Sequence, residues 1–206
     1  MKTPAAAPLV ALLALAAALS GAAQAATDPK LVRAQEIVEG KCFMCHGIDG
    51  ESSSPLFPRL AGQHAAYVAR QLADYASGRR KSTQMQPMVE GLTASDFEAL
   101  GRWYESRPVS AHAVEDPPLA QVGEFIYARG NAYSGVPACA GCHGAAGQGT
   151  ATLPRLAGQH AQYTERQLKQ FGQRERSNDN AVMHQIAARL TELETKAVAS
   201  YLSGLK

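Results

Sequence analysis

Cys42-Phe43-Met44-Cys45-His46 and Cys139-Ala140-Gly141-Cys142-His143 use all 4 cysteines of the chain. Two thiols three positions apart on one helical turn can add to the two vinyl groups of a single porphyrin. The histidine that follows then lies under the iron. The same Cys-x-x-Cys spacing also serves zinc sites and thiol redox sites. Two runs that both end in histidine, with no cysteine left over, select two covalently bound haem c groups. Cys42, Cys45, Cys139 and Cys142 are the attachment thiols, and His46 and His143 the proximal iron ligands.

The opposite face of each iron decides function. An open site binds small molecules or activates oxygen, whereas a closed Met/His site raises the potential and passes electrons. Candidates are Met85, Met88 and His64 in the first half, and Met183, His184 and His160 in the second. The chain repeats itself, and the repeat chooses among them. Pro58-Arg-Leu-Ala-Gly-Gln-His64 returns as Pro154-Arg-Leu-Ala-Gly-Gln-His160, an offset of 96, and the haem runs are offset by 97. Aligning Leu92-Thr93 with Leu190-Thr191 sets Met85 on Met183, whereas Met88 falls on Ile186 and His184 on Gln86. Met85 and Met183 are therefore the expected second ligands. His64 and His160 match each other, but they read as helix-start or surface histidines, with bis-histidine ligation as the alternative. Met44 reads as surface packing. Pro58 and Pro154 are placed to offer a carbonyl to the free ring N–H of each proximal histidine. Arg59 and Arg155 are candidates for propionate pairing or ordinary surface residues.

The elements that hold these residues read as helices. Asp28-Pro29 starts one, with Leu31, Ala34 and Val38 on one face. Tyr67, Val68, Gln71, Leu72 and Tyr75 keep helical spacing up to Gly78. Ser95 and Glu98 look like a capping box for a third, with Phe97, Leu100, Trp103 and Tyr104 as its apolar face. The second half repeats this over 119–128, 162–171 and 193–202. No stretch alternates with period two, so the expected fold is all-α, in two tandem units at 26–106 and 119–206. The proline-rich 107–118 is the linker. Long loops at 47–61 and 144–157 leave a cofactor to be wrapped. The second unit carries extra residues, Arg129 to Pro137.

Residues 1–25 read as a cleavable secretory signal, with one charge at Lys2, an apolar run from Leu9 to Leu19 and Ala23-Gln24-Ala25 before the cut. The expected compartment is the periplasm. Lys plus Arg is 20 against 18 Asp plus Glu, a net +2. That near-balance excludes a nucleic-acid partner on charge, and Arg79-Arg80-Lys81, the only basic cluster, reads as a solvated loop. No nucleophile motif or phosphate loop is present, so a small-molecule substrate is not expected.

Tandem Cys-x-x-Cys-His units, each followed by Pro-Arg-Leu-Ala-Gly-Gln and one further methionine, resemble the dihaem cytochromes c of the c4 type. The resemblance covers both units and implies two class I cytochrome c-like domains, each around one haem, packed with approximate two-fold symmetry and with propionates near their interface. It implies a periplasmic electron carrier, not an enzyme, with at most loose membrane association. Its partners would be an upstream donor and a membrane-bound terminal oxidase. It carries the roles of His46, His143, Met85, Met183, Pro58 and Pro154 onto this chain. Two other readings share the motifs: the haem subunit of an oxidoreductase complex, such as a flavin-containing sulfide dehydrogenase, and a dihaem peroxidase with one open iron. Met85 and Met183 argue against the peroxidase.

Overall fold

The computed structural model describes residues 28–206, so the expected signal at 1–25 lies outside the described residues. Helix α1 (Pro29–Ile37) begins where the Asp28 carboxylate accepts the Lys30 N–H at 2.9 Å, with Pro29 in the first turn. Ala34, Ile37 and Val38 are buried beneath it. The chain does not continue to Cys42 as plain α-helix. Val38–Cys42 forms a π turn, a widening that recurs beside functional sites. It hands over to the short α2 (Phe43–His46).

The rest of the first unit is α3 (Ala65–Ala76), α4 (Met85–Val89) and α5 (Ala94–Glu105). The second unit repeats the order with α6 (Pro117–Arg129), α7 (Ala140–His143), α8 (Ala161–Gly172), α9 (Val182–Ala187) and α10 (Glu192–Ser203). The fold is all-α: among the described residues the only extended pairing is an isolated bridge between Asn131 and Val136. That bridge closes the extra segment of the second unit. Asn131 Nδ2 donates to Glu194 at 2.6 Å and Arg189 to the Gly135 carbonyl at 2.8 Å, so the excursion is tied to its own unit. No described helix is long and apolar enough to cross a membrane.

Each unit has its own core. Ala34, Val38, Val68, Leu100, Trp103 and Tyr104 form the first, and Ile126, Tyr127, Ala197, Val198 and Leu202 the second. In the second unit α6 meets α10 at Gly123, where a Cβ would lie 1.9 Å from the Ala197 carbonyl oxygen. The expected linker 107–118 ends earlier, because its last two residues already open α6, and residues 107–116 are laid across both units. Val109 packs on Gly62, Val114 on Gly204, and the Ser110 N–H donates to Glu51 at 3.0 Å.

The capping box of α5 lies two residues before the Ser95/Glu98 pair that the sequence suggests. Thr93 is extended (φ −97°, ψ 167°), accepts the Asp96 N–H, and gives its own N–H to the Asp96 carboxylate at 2.8 Å. Ser95 is already inside the helix, where its backbone cannot play that part. Thr191 and Glu194 repeat the device on α10. Thr191→Ala is expected to cost about 1 kcal/mol, read as a lower urea midpoint. Hydrogen bonds from Asn131 first, then the Thr191 backbone, hold the Glu194 carboxyl below its usual range. Its contribution is therefore complete above that range and is lost as pH falls through it toward the folded value.

Candidate haem sites

Each proximal position is built by the same short path. The helix carrying the second cysteine ends immediately after the histidine because the next residue is glycine at positive φ, Gly47 at 73° and Gly144 at 81°. The following loop closes on a carbonyl: Gly50 accepts the Leu60 and Ala61 N–H groups at 2.7 and 3.2 Å, and Gly147 those of Leu156 and Ala157 at 2.7 and 3.0 Å. This closure presents the proline carbonyls. His46 Nδ1 lies 2.9 Å from the Pro58 oxygen, and His143 Nδ1 3.3 Å from that of Pro154. A carbonyl only accepts, so each Nδ1 carries the proton and each Nε2 keeps its lone pair. Both histidines are buried, and burial pushes both imidazoles below their ordinary pKa, keeping them neutral. A neutral imidazole with a free Nε2 is the form that ligates iron.

Whether these residues fit a covalently held haem is tested by the thiols and by the orphaned polar groups around them. All four cysteines are unbridged. Burial pushes the Cys139 thiol up to about 11 and that of Cys42 up as well, opposite to the shift of a redox-active thiol. Among the described residues no group of three His, Cys, Asp or Glu is placed to hold a metal ion. Arg155 Nε is buried with no hydrogen-bond partner, as is Arg59 Nε, which has only Glu51 3.5 Å away. A carboxylate brought by a cofactor would satisfy both. The residues fit a haem.

Met85 and Met183 both lie half-buried at the start of a short helix, α4 and α9. The approach to Met183 is strained: Asn180 and Ala181 both adopt positive φ, 54° and 68°. Asp179 holds that bend, accepting the Ala181 N–H at 3.2 Å and the His184 N–H at 3.0 Å. Two non-glycine residues in this region mark a segment held by its surroundings, a pattern that clusters at functional sites. Met88 is 40% and Met44 83% exposed. His184 Nδ1 faces the Phe171 carbonyl at 3.0 Å.

His64 and His160 are engaged elsewhere. Each stands at a helix start and reaches into the other unit, His64 Nε2 to the Gln148 carbonyl at 2.7 Å and His160 Nε2 to that of Ser52 at 2.8 Å. They are interface residues. Arg80 likewise departs from the solvated-loop reading of the basic cluster, being 7% exposed between the units. It donates to Gln71 at 2.8 Å, and to Tyr163 and Gln167 at 3.0 and 2.9 Å. Its repeat counterpart Arg176 donates to Gln167 at 2.8 Å, and to Tyr67 and Gln71, both at 3.0 Å. Asp74 is the carboxylate of this cluster, bound by Arg79 and, at 2.7 Å, by Asn178. The sequence carried a signal for this cluster: Tyr67, Gln71 and Arg80 recur at Tyr163, Gln167 and Arg176 with one offset of 96.

Two duplicated units with paired thiols, buried neutral histidines and proline acceptors define a protein that carries two covalent haems. The cytochrome c family model matches residues 31–103 and 127–206. Cytochrome c4 of Thiocapsa roseopersicina is 44% identical over 86% of this chain and 93% of its own. The crystal structure of reduced recombinant cytochrome c4 from Pseudomonas stutzeri superposes with a TM-score of 0.80 at 37% identity, covering 84% of this chain and 97% of that one. The thiosulfate dehydrogenase electron acceptor of Stutzerimonas stutzeri (strain A1501) is 37% identical over 80% of this chain and 78% of its own. The chain belongs to the cytochrome c family, among the dihaem cytochromes of the c4 type. It is an electron carrier with two haem c groups, and its partners are redox proteins.

Proposed function

We propose that this chain carries single electrons in the periplasm, between a respiratory donor and a membrane-bound terminal oxidase, after removal of residues 1–25. In this reading 26–106 and 117–206 are the two haem domains and 107–116 their linker. Cys42 and Cys45 hold one haem, Cys139 and Cys142 the other. His46 with Met85, and His143 with Met183, would hold the two irons. Pro58 and Pro154 orient the histidines. The observation that carries the reading is the duplicated Nδ1–carbonyl contact of two buried, neutral histidines, each directly after a pair of thiols.

A bound haem would supply one-electron Fe(II)/Fe(III) chemistry. The chain supplies the rest. The proline carbonyls fix each imidazole and raise its donor strength. Met85 and Met183 would hold the iron by their thioethers, which would favour Fe(II), raise the potential and leave no position for a substrate. Arg59 and Arg155 would hold propionates, which lowers the cost of keeping guanidinium groups in the interface.

A second reading, electron acceptor of a thiosulfate-oxidising enzyme, is favoured by the likeness to the Stutzerimonas acceptor. Reduction of the holoprotein by such a dehydrogenase, compared with reduction by a quinol-oxidising complex, separates the two. The ligand assignment is tested by replacing Met85 and Met183 with alanine, one at a time. The wild type is expected to show a far-red methionine-to-ferric-iron band for both haems, and each variant to lose half of it and to bind carbon monoxide at one ferrous haem. A band left undiminished by either substitution overturns the assignment at that haem.

A further inference from the structure

The peptide group that orients each proximal histidine is itself held by the other unit. The Pro58 carbonyl accepts from His46, and the N–H of the same peptide, on Arg59, donates to Gln159 Oε1 at 2.9 Å. Gln159 Nε2 returns a bond to the Arg59 carbonyl at 2.9 Å, so its side-chain amide grips the residue from both sides. The mirror arrangement is present in the other direction. The Arg155 N–H, in the peptide whose carbonyl faces His143, donates to Gln63 Oε1 at 2.8 Å, and Gln63 Nε2 donates to the Arg155 carbonyl at 2.9 Å. Both glutamines are buried, 6% and 8% exposed. The cavity between them measures only about 10 Å³, roughly room for one water.

We propose that Gln159 and Gln63 are cross-unit positioning residues that tune the haem of the opposite unit through one peptide bond. The inference rests on His46 and His143 being the proximal ligands. An amide whose N–H donates becomes a better acceptor at its carbonyl, a gain of roughly 10–30% per bond in a chain of hydrogen bonds. Gln159 therefore strengthens the Pro58 acceptor, which draws the His46 Nδ1 proton toward it and makes Nε2 a stronger donor to iron. Stronger donation favours Fe(III). Each haem's redox equilibrium is thus set partly by whether the other unit is docked. Separation of the units, by a partner or by mutation, would move both equilibria toward Fe(II) without touching either iron.

The test uses the full-length holoprotein, with the two haems assigned by NMR and titrated separately. Gln159→Met removes the acceptor at nearly constant length. It is expected to shift the equilibrium of the His46 haem about threefold toward Fe(II), about 30 mV at 59 mV per tenfold for one electron, and to move the His46 Nδ1 proton of the ferrous protein upfield. The His143 haem stays in place. Gln63→Met gives the reverse pattern. Gln159→Asn, which keeps a buried amide but shortens its reach, is expected to follow Gln159→Met at smaller amplitude and serves if the methionine variant does not fold. A shift at the haem of the substituted unit, equal shifts at both, or none would overturn the proposal. If the wild-type ferrous spectrum lacks an upfield-shifted His46 ring, the ligand reading itself has failed, which is a separate outcome.

Discussion

Arg79→Ala, which leaves a buried carboxylate without its cation, is expected to lower stability by about 3 kcal/mol, whereas Asp74→Ala, at the other end of the same ion pair, should cost about 1 kcal/mol. The asymmetry follows from burial. The Asp74 side chain is 3% exposed and that of Arg79 68%. Released from its partner, Arg79 turns into water at little cost. Asp74 has no such route. Without Arg79 its carboxylate keeps the Asn178 amide, at 2.7 Å, as a donor but loses its cation. Urea unfolding of the holoproteins, followed by far-UV circular dichroism, reads both variants. Equal losses would mean that the pair acts as a surface bridge.

Gly123→Ala should destabilise by about 3 kcal/mol, although glycine to alanine inside a helix ordinarily gains about 1 kcal/mol. A Cβ at this position would lie 1.9 Å from the Ala197 oxygen and 2.4 Å from its carbon, and neither backbone atom can turn aside. Helices α6 and α10 would have to part, and with them the packing of Ile126 and Tyr127 on Val198 and Leu202. Gly40→Ala is the control, because nothing lies within 4 Å of a Cβ there. It is expected to be neutral or mildly stabilising. Thermal unfolding of the two variants beside the wild type decides it, and a stable Gly123→Ala protein would show that the crossing can relax.

The paired thiols, the histidine after each pair and the contact of each histidine with a proline carbonyl were legible because each depends on neighbours along the chain. Spacing alone put Pro58 within reach of His46. The helices were legible for the same reason, with ends displaced by a residue or two. What the sequence concealed lies between the units. His64 and Arg80 carry the residue types of a helix start and a solvated loop, and only the packing of one unit on the other gives them partners 84 and 83 positions away. Two local features also escaped. Thr93 outcompeted Ser95 as the cap because its extended backbone frees its N–H for Asp96. The π turn before Cys42 carries no composition signal, since Val38–Cys42 continues an apolar face at nearly helical spacing.

The stretch between α5 and α6 has a consequence for how strong the contact between the halves must be. Two separate molecules meeting through glutamine, histidine and arginine side chains would need a tight dissociation constant to stay together at cellular dilution. On one chain, with a short connection, each half meets the other at an effective concentration on the order of millimolar. Against that concentration, an affinity of only about 4 kcal/mol already keeps the halves together half the time, and each additional 1.4 kcal/mol gains tenfold. Duplication on a single chain has thus turned a dimerisation problem, governed by protein concentration, into an intramolecular one that is independent of it. A polar interface that could open suffices where an obligate, apolar one would otherwise be required.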